Sequence, residues 1–341
     1  MIQCRELIEK RPDKDGIVIF FIASKSKIKS AYKNLKIYFD TKGIPTQFIF
    51  VETILDKVIK YPGVRANFLL EIATKAARKE KPIQLEPPLG YAEGIGGILC
   101  ISDVKDAKRL GVEKLFGALF INIKGLHGER VHIYNDIKYE VDENDDLLKI
   151  SKDDALLLSE KAGTLIGVPG KIDILLTREW KRDSLHALIN GLQENHNIQV
   201  KNVYYVSTKV ARFIDEYTLN NPVKEFNIHY KIHPDHRLWI SSYSHPFIRI
   251  GSKSAIIKPA TMLRIYPTLF GVYVRLVWPY NKKLKREDLF KILWLIKKRT
   301  YRVQEFFTLK VPEPVTIFRN IRKMYLGKIE GTVEIPLNLM I

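Results

Sequence analysis

Residues 16–23 read GIVIFFIA, a short apolar run of the kind that forms a strand buried on both faces. Ser24 to Ser26 can cap the helical pattern that follows and carries Tyr32. QFIFVETI, residues 47–54, predicts the next strand, and a second helical pattern runs from about Asn67 to Lys79. A strand, helix, strand, helix progression is that of a small doubly wound α/β unit. Lys81 to Gly97, rich in proline and glycine, then breaks the pattern and divides residues 1–88 from residues 89–341.

Beyond the break, GGILCISDV (96–104), LFGALFINIKG (115–125) and GERVHIYND (128–136) predict three consecutive antiparallel strands. A meander with an acidic residue, Asp103, on its first strand is how a ribonuclease-H-like fold begins. The acidic stretch 142–146 predicts a solvated hairpin tip: Leu147 stands where a calcium loop needs glycine, and no glutamate closes it. A helical pattern covers Leu156 to Gly163. KIDILLTREW (171–180) predicts a buried parallel strand, with a helix at about 183–195 and a strand at 200–209. Further on come the alternating segment FNIHYKIH, the basic segment 252–266, a helix at about 286–300 and an apolar terminus, GTVEIPLNLMI, expected to be buried.

Charge narrows the function. Lysine and arginine number 56 against 38 aspartates and glutamates, a net charge of +18, and the partner this implies is a polyanion, most simply nucleic acid. Cys4 and Cys100 lack metal-ligand or disulfide spacing and fit a reducing cytoplasm. Neither a signal peptide nor a run of ~20 apolar residues suited to a membrane span is visible. His229 and His233 fall about 13 Å apart along one strand, too far to share a zinc ion, and His236 and His245 do not change that. Gly94-x-Gly96-Gly97 precedes a strand rather than following one, which argues against a dinucleotide loop.

Tyr32 and Lys36 stand four apart and project from one helical face. Gln47 follows the Gly43-Ile44-Pro45 turn, and Asn67 and Lys75 stand eight apart on the later helix. A phenol, two ammonium groups and an amide brought to one point would form a pocket for a terminal phosphate, aided by helix termini. The plainer alternative is a solvated basic helix followed by an ordinary strand. The ordered set Tyr-x-x-x-Lys, Gly-Ile-Pro-x-Gln, then Asn and Lys on a later helix resembles the MID domain of the Argonaute/Piwi family. That resemblance implies that Tyr32, Lys36, Gln47, Asn67 and Lys75 hold the 5′ phosphate of a guide strand. It places the terminal carboxylate of Ile341 near the phosphate, with a Mg²⁺ ion as a cofactor there.

The resemblance extends over residues 16–341. It implies an α/β protein: a partial, Rossmann-like MID domain in 1–88 and a ribonuclease-H-like PIWI domain in 89–341. In PIWI domains the first strand carries a catalytic aspartate, the place of Asp103. A second anchor in an Arg-Asp-Gly setting matches Arg178-Glu179-Trp180, and the last ligand, on a helix after a Pro-x-Pro-Val turn, falls on Arg319. Glu140 and Glu143 are candidates for the family's inserted glutamate. Two-metal hydrolysis needs several carboxylates around ions about 4 Å apart, and arginine cannot ligate a cation. The resemblance therefore implies vestigial catalytic positions at Asp103, Glu179 and Arg319 and no metal in a catalytic site. An alternative role for Asp103 is to pair with a nearby lysine or arginine.

The expected function is that of a short, catalytically inactive prokaryotic Argonaute, archaeal in its Lys/Ile-rich composition. It would hold a guide RNA or DNA, pair it with a complementary target and act in defence against invading DNA. Lys209, Arg212, Lys253, Lys258 and Arg264 are expected along the nucleic-acid backbone. Because the chain starts inside the first domain, a separate protein is expected to complete the N-terminal half or act as effector. Two alternatives remain open: a metal-dependent guided endonuclease using Asp103 and Glu179, and a scaffold subunit that binds nucleic acid without a guide.

Overall fold

The computed structural model describes residues 17–22, 29–76, 95–104, 115–122, 130–141, 147–207, 227–233, 236–243, 247–250, 253–256, 260–265, 272–282, 288, 313–324 and 332–336. In the first part, β1 (Val18–Ile22) and β2 (Thr46–Phe50) pair in parallel. Helix α1 (Lys29–Thr41) connects them and packs on one face of the pair: Phe39 lies against Phe20, and Phe20 stacks on Phe48. Its C-terminus closes with Gly43 in the left-handed region (φ 67), where the Gly43 and Ile44 amides donate to the Asp40 and Phe39 carbonyls.

β2 is shorter than the apolar run 47–54 suggests. Val51, Glu52 and Thr53 are exposed, so no burial holds them in a sheet, and they turn into a helical segment, Val51–Thr53, followed by a π-helical turn, Ile54–Val58. α2 (Pro62–Ala76) begins earlier than the apolar pattern predicts, with proline at its first position, where the missing N–H costs nothing.

The second part is built on a sheet of ten strands among the described residues, ordered β10-β11-β14-β15-β9-β8-β3-β4-β5-β16. Its centre is β3 (Ile95–Val104), β8 (Gly170–Leu176) and β9 (Ile198–Ser207), mutually parallel. β3 continues as the expected antiparallel meander into β4 (Leu115–Asn122) and β5 (Arg130–Tyr134), and β16 (Val333–Pro336) pairs on β5. On the other side, β15 (Val272–Trp278) runs antiparallel to β9 and leads to β14 (Ala260–Ile265), β11 (His236–Tyr243) and β10 (Asn227–His233). β6 (Tyr139–Val141) and β7 (Leu148–Ile150) form the hairpin expected around 142–146, and β12 (Phe247–Ile250) pairs with β13 (Lys253–Ile256). Residues 142–146 lie outside the described residues, as does nearly all of the helix expected at 286–300.

Helices α3 (Lys152–Ile166) and α4 (Arg182–His196) cover one face of the sheet. The Ser151 hydroxyl caps α3 by accepting from the Asp154 amide, Asp153 and Asp154 complement its dipole, and left-handed Gly167 (φ 74) ends it. The two helices touch closely, with Gly163 against His196 and Gly191 against Ser159. α5 (Glu313–Met324) lies on the opposite face and buries Ile317, Phe318 and Ile321 over β3 and β4. Among the described residues, no helix is long and apolar enough to cross a membrane.

Gly117 on β4 is what lets α5 sit down. A Cβ there would stand 2.6 Å from the Phe318 ring, while one on Gly63 in α2 meets nothing within 4 Å. Gly117→Ala is expected to cost about 1–3 kcal/mol through overpacking. Gly63→Ala is expected to be neutral or stabilising by up to about 1 kcal/mol. Thermal unfolding of the two variants side by side checks this.

Candidate functional site

Two groups of side chains stand at the positions singled out by the sequence. The first is on α1. Tyr32 and Lys36 are one turn apart, and the Tyr32 ring meets Phe48 edge-on at 4.9 Å between centroids. The Lys36 ammonium pairs with Asp40 one turn further on, at 2.9 Å, and the Asp40 side chain is completely buried. The carboxylate fixes the direction of the ammonium and supplies a counter-charge that no sequence spacing had singled out. An ammonium has three donors, so one such contact does not exhaust it.

Gln47 is buried too, but on the other side of the strand. Side chains alternate along β2, and Phe48 faces α1, so Gln47 shares the opposite face with Ile49. Tyr32 and Lys36 thus lie one turn apart on α1, and Gln47 stands on the face of β2 opposite Phe48. Asn67 and Lys75 both lie on α2, with their side chains outside the described part. The same holds for Lys253 on β13 and Arg264 on β14. Lys209, Arg212, Lys258, Glu143 and Ile341 lie outside the described residues altogether.

The second group stands at the carboxyl-terminal ends of the central strands. Ile101 lies beside Leu176 in the parallel β3–β8 register, so two residues on, Asp103 comes level with Arg178. The Arg178 Nε donates to Asp103 Oδ2 at 2.7 Å. The next residue, Glu179, turns to β15 and accepts two bonds from Arg275, Nη1 to Oε2 at 2.8 Å and Nη2 to Oε1 at 2.7 Å. Both carboxylates are well shielded, with side-chain exposures of 6% for Asp103 and 16% for Glu179. Tyr139 lies in the field of this group: burial holds its phenol protonated above the ordinary range, with Asp103 adding to the effect and Arg178 opposing it.

Arg178 and Arg275 are the residues that sequence reasoning left unassigned. The signal was present for Arg275, a lone charge inside the apolar strand VYVRLVW. The pairing of Asp103 with a neighbouring arginine, the alternative weighed for that residue, is the arrangement found. Arg319 sits half-buried on α5, beside the buried Phe318 that faces the sheet. Glu140 is exposed on β6.

These residues do not fit a two-metal centre. Each candidate ligand, Asp103 and Glu179, already carries a guanidinium, and no three His, Cys, Asp or Glu side chains cluster as a metal site among the described residues. The bidentate Arg275–Glu179 pair has the planar geometry that makes such contacts strong. Arg275→Ala is expected to cost about 1–3 kcal/mol, measured as a lowered urea midpoint. Adding Glu179→Ala is expected to recover part of the loss, because the carboxylate deprived of its partner is removed as well.

No protein-family model and no curated protein sequence matches the chain. Solved structures do. Clostridium butyricum Argonaute bound to a guide DNA and a 19-mer target DNA superposes over 94% of this chain at 16% identity and a TM-score of 0.55. Kluyveromyces polysporus Argonaute with a guide RNA matches over 95% at 9% identity and a TM-score of 0.55. The C-terminal lobe of a budding yeast Argonaute matches over 95% at 10% identity and a TM-score of 0.51. The chain spans 39% of the length of each of the first two and 64% of the third. At these identities the likeness bears on architecture, and the chain has the fold of the MID–PIWI region, the C-terminal lobe, of Argonaute proteins.

Proposed function

We propose that this chain is a guide-directed nucleic-acid-binding protein without nuclease activity. It holds a strand by its 5′ phosphate, pairs it with a complementary target and passes that event to another protein in defence against invading DNA. The observation that carries the non-cleaving reading is the pairing of Asp103 with Arg178 and of Glu179 with Arg275 at the strand ends of an Argonaute-type fold. The net charge of +18 supports a polyanionic partner. Sequence specificity then resides in base pairing, and the protein contacts backbone and shape.

The 5′-phosphate pocket is proposed on Tyr32 and Lys36 of α1 and Gln47 of β2, joined from α2 by Asn67 and Lys75. In this reading the Ile341 carboxylate would help to hold a Mg²⁺ ion, which would supply positive charge to the phosphate. A cytoplasmic location belongs to the same reading. A separate protein partner fits the apolar side chains exposed in the first part of the chain, Phe21, Leu55, Ile59, Tyr61 and Leu69.

Binding of short strands with a 5′ phosphate or a 5′ hydroxyl tests the reading. Lys75→Ala is expected to reduce the preference for the phosphorylated strand roughly ten- to a hundredfold, the worth of about 1.5–3 kcal/mol for one charged contact. Lys36→Ala is expected to do the same, but it also strips the ion-pair partner from buried Asp40. It is therefore compared with Lys36→Ala/Asp40→Asn and with a melting curve. Equal affinity for both strands in the wild type would favour the unguided scaffold. Cleavage of a matched target in Mn²⁺, abolished by Asp103→Asn, would favour the nuclease.

A further inference from the structure

At the edge of the sheet where β3 and β8 end, with β15 alongside across β9, two arginines cover the carboxylates that the Argonaute resemblance assigns to a metal site. Both are partly open to solvent, with side-chain exposures of 24% for Arg178 and 20% for Arg275, whereas the Asp103 and Glu179 carboxylates they cover are less exposed. From outside, a strand approaching this edge meets guanidinium before it meets carboxylate. Strand spacing puts Asp103 on β3 and Arg275 on β15 roughly 14 Å apart, so the edge is a row rather than a point.

The surroundings add to the positive side. Lys181 and Arg182 follow directly in sequence, and Arg182 opens the fifteen-residue α4, whose N-terminus has no side-chain cap. Arg178, Lys181, Arg182 and Arg275 together outweigh Asp103, Glu179 and Asp183, and the helix dipole points the same way. A guanidinium has five donors in a planar fork that suits phosphate oxygens.

We propose that Arg178 and Arg275 form a phosphodiester-binding site for the strand paired to the guide, their fixed charges doing the electrostatic work of divalent ions. Asp103 and Glu179 are positioning residues in it: they hold the forks in place and contribute no chemistry. This rests on the guided-binding reading above. It follows that capture of the target is independent of divalent cations, and that loss of an arginine weakens target binding without weakening the hold on the guide.

The experiment uses the full chain loaded with a 5′-phosphorylated guide and titrated with matched target across a salt series, in EDTA and in Mn²⁺. For Arg178→Gln and Arg275→Gln, target affinity is expected to fall about tenfold each. The slope of log K against log salt is expected to shrink by about 0.9 for one lost phosphate contact. Arg178→Lys is expected to restore the slope, since it keeps the charge. Asp103→Asn keeps Arg178 but weakens the contact that fixes its fork, and is expected to lower target affinity by less than Arg178→Gln does. Because Arg178→Gln leaves Asp103 without its guanidinium and can unfold the edge, Asp103→Asn/Arg178→Gln removes the whole pair and is expected to give the same loss at an unchanged melting temperature.

If the guide loads normally and the arginine variants keep the wild-type slope, the phosphodiester site is wrong while the guide reading stands. The same holds if wild-type target capture needs Mn²⁺ and Asp103→Asn abolishes it. If 5′-phosphorylated and 5′-hydroxyl guides load alike, the guide reading falls, and this inference with it.

Discussion

The parallel pairing of β3 with β8 and β9 governs the rest of the structure. A parallel strand covered on both faces cannot keep polar side chains in its middle unless they are satisfied, so such strands are apolar along their length and polar at their ends. Ile98 to Ile101 and Ile174 to Leu176 are almost completely buried, and Asp103 and Glu179 fall just where the cover ends. Asp173, a fully buried carboxylate on β8, accepts from the Asn202 amide at 2.8 Å, and Lys282 in turn donates to Asn202 at 2.7 Å. A charge-assisted chain of this kind is what allows a fully enclosed aspartate.

The same sheet decides what the strand ends can do. Because β3 lies beside β8 in parallel register, the second residue after the last apolar position of β8, Arg178, comes level with Asp103. Because β15 runs back antiparallel beside β9, Arg275 reaches Glu179 from a strand almost a hundred residues away in sequence. Two acidic residues thus become the bases of two ion pairs. Each carboxylate at these strand ends is thereby held against a fixed positive charge.

The first part of the chain works by a similar principle on a smaller scale. α1 seals one face of a two-stranded parallel pair through Phe20, Phe39 and Phe48, and the Lys36–Asp40 pair lies beside that seal. The buried Asp40 is the structural reason that Lys36 projects in a fixed direction rather than as a mobile surface lysine. It also makes alanine at position 36 a poor probe when used alone.

The strands and helices of the core were legible because hydrophobic period is local. GIVIFFIA, GGILCISDV, KIDILLTREW and the helical patterns that cover the sheet were recognisable from a window of ten to fifteen residues, and the meander and the parallel strand followed from them. The order of Tyr32, Lys36, Asp103 and Glu179 along the chain was equally visible. Tertiary structure alone decided the rest. Strand alternation put Gln47 on the face of β2 opposite Phe48, the loss of cover ended β2 at Phe50, and strand order delivered Arg178 to Asp103 and Arg275 to Glu179. Spacing along a chain lists which side chains exist, but whether a carboxylate is left bare or meets a guanidinium is set by which strands lie side by side, and that depends on packing between segments far apart in sequence.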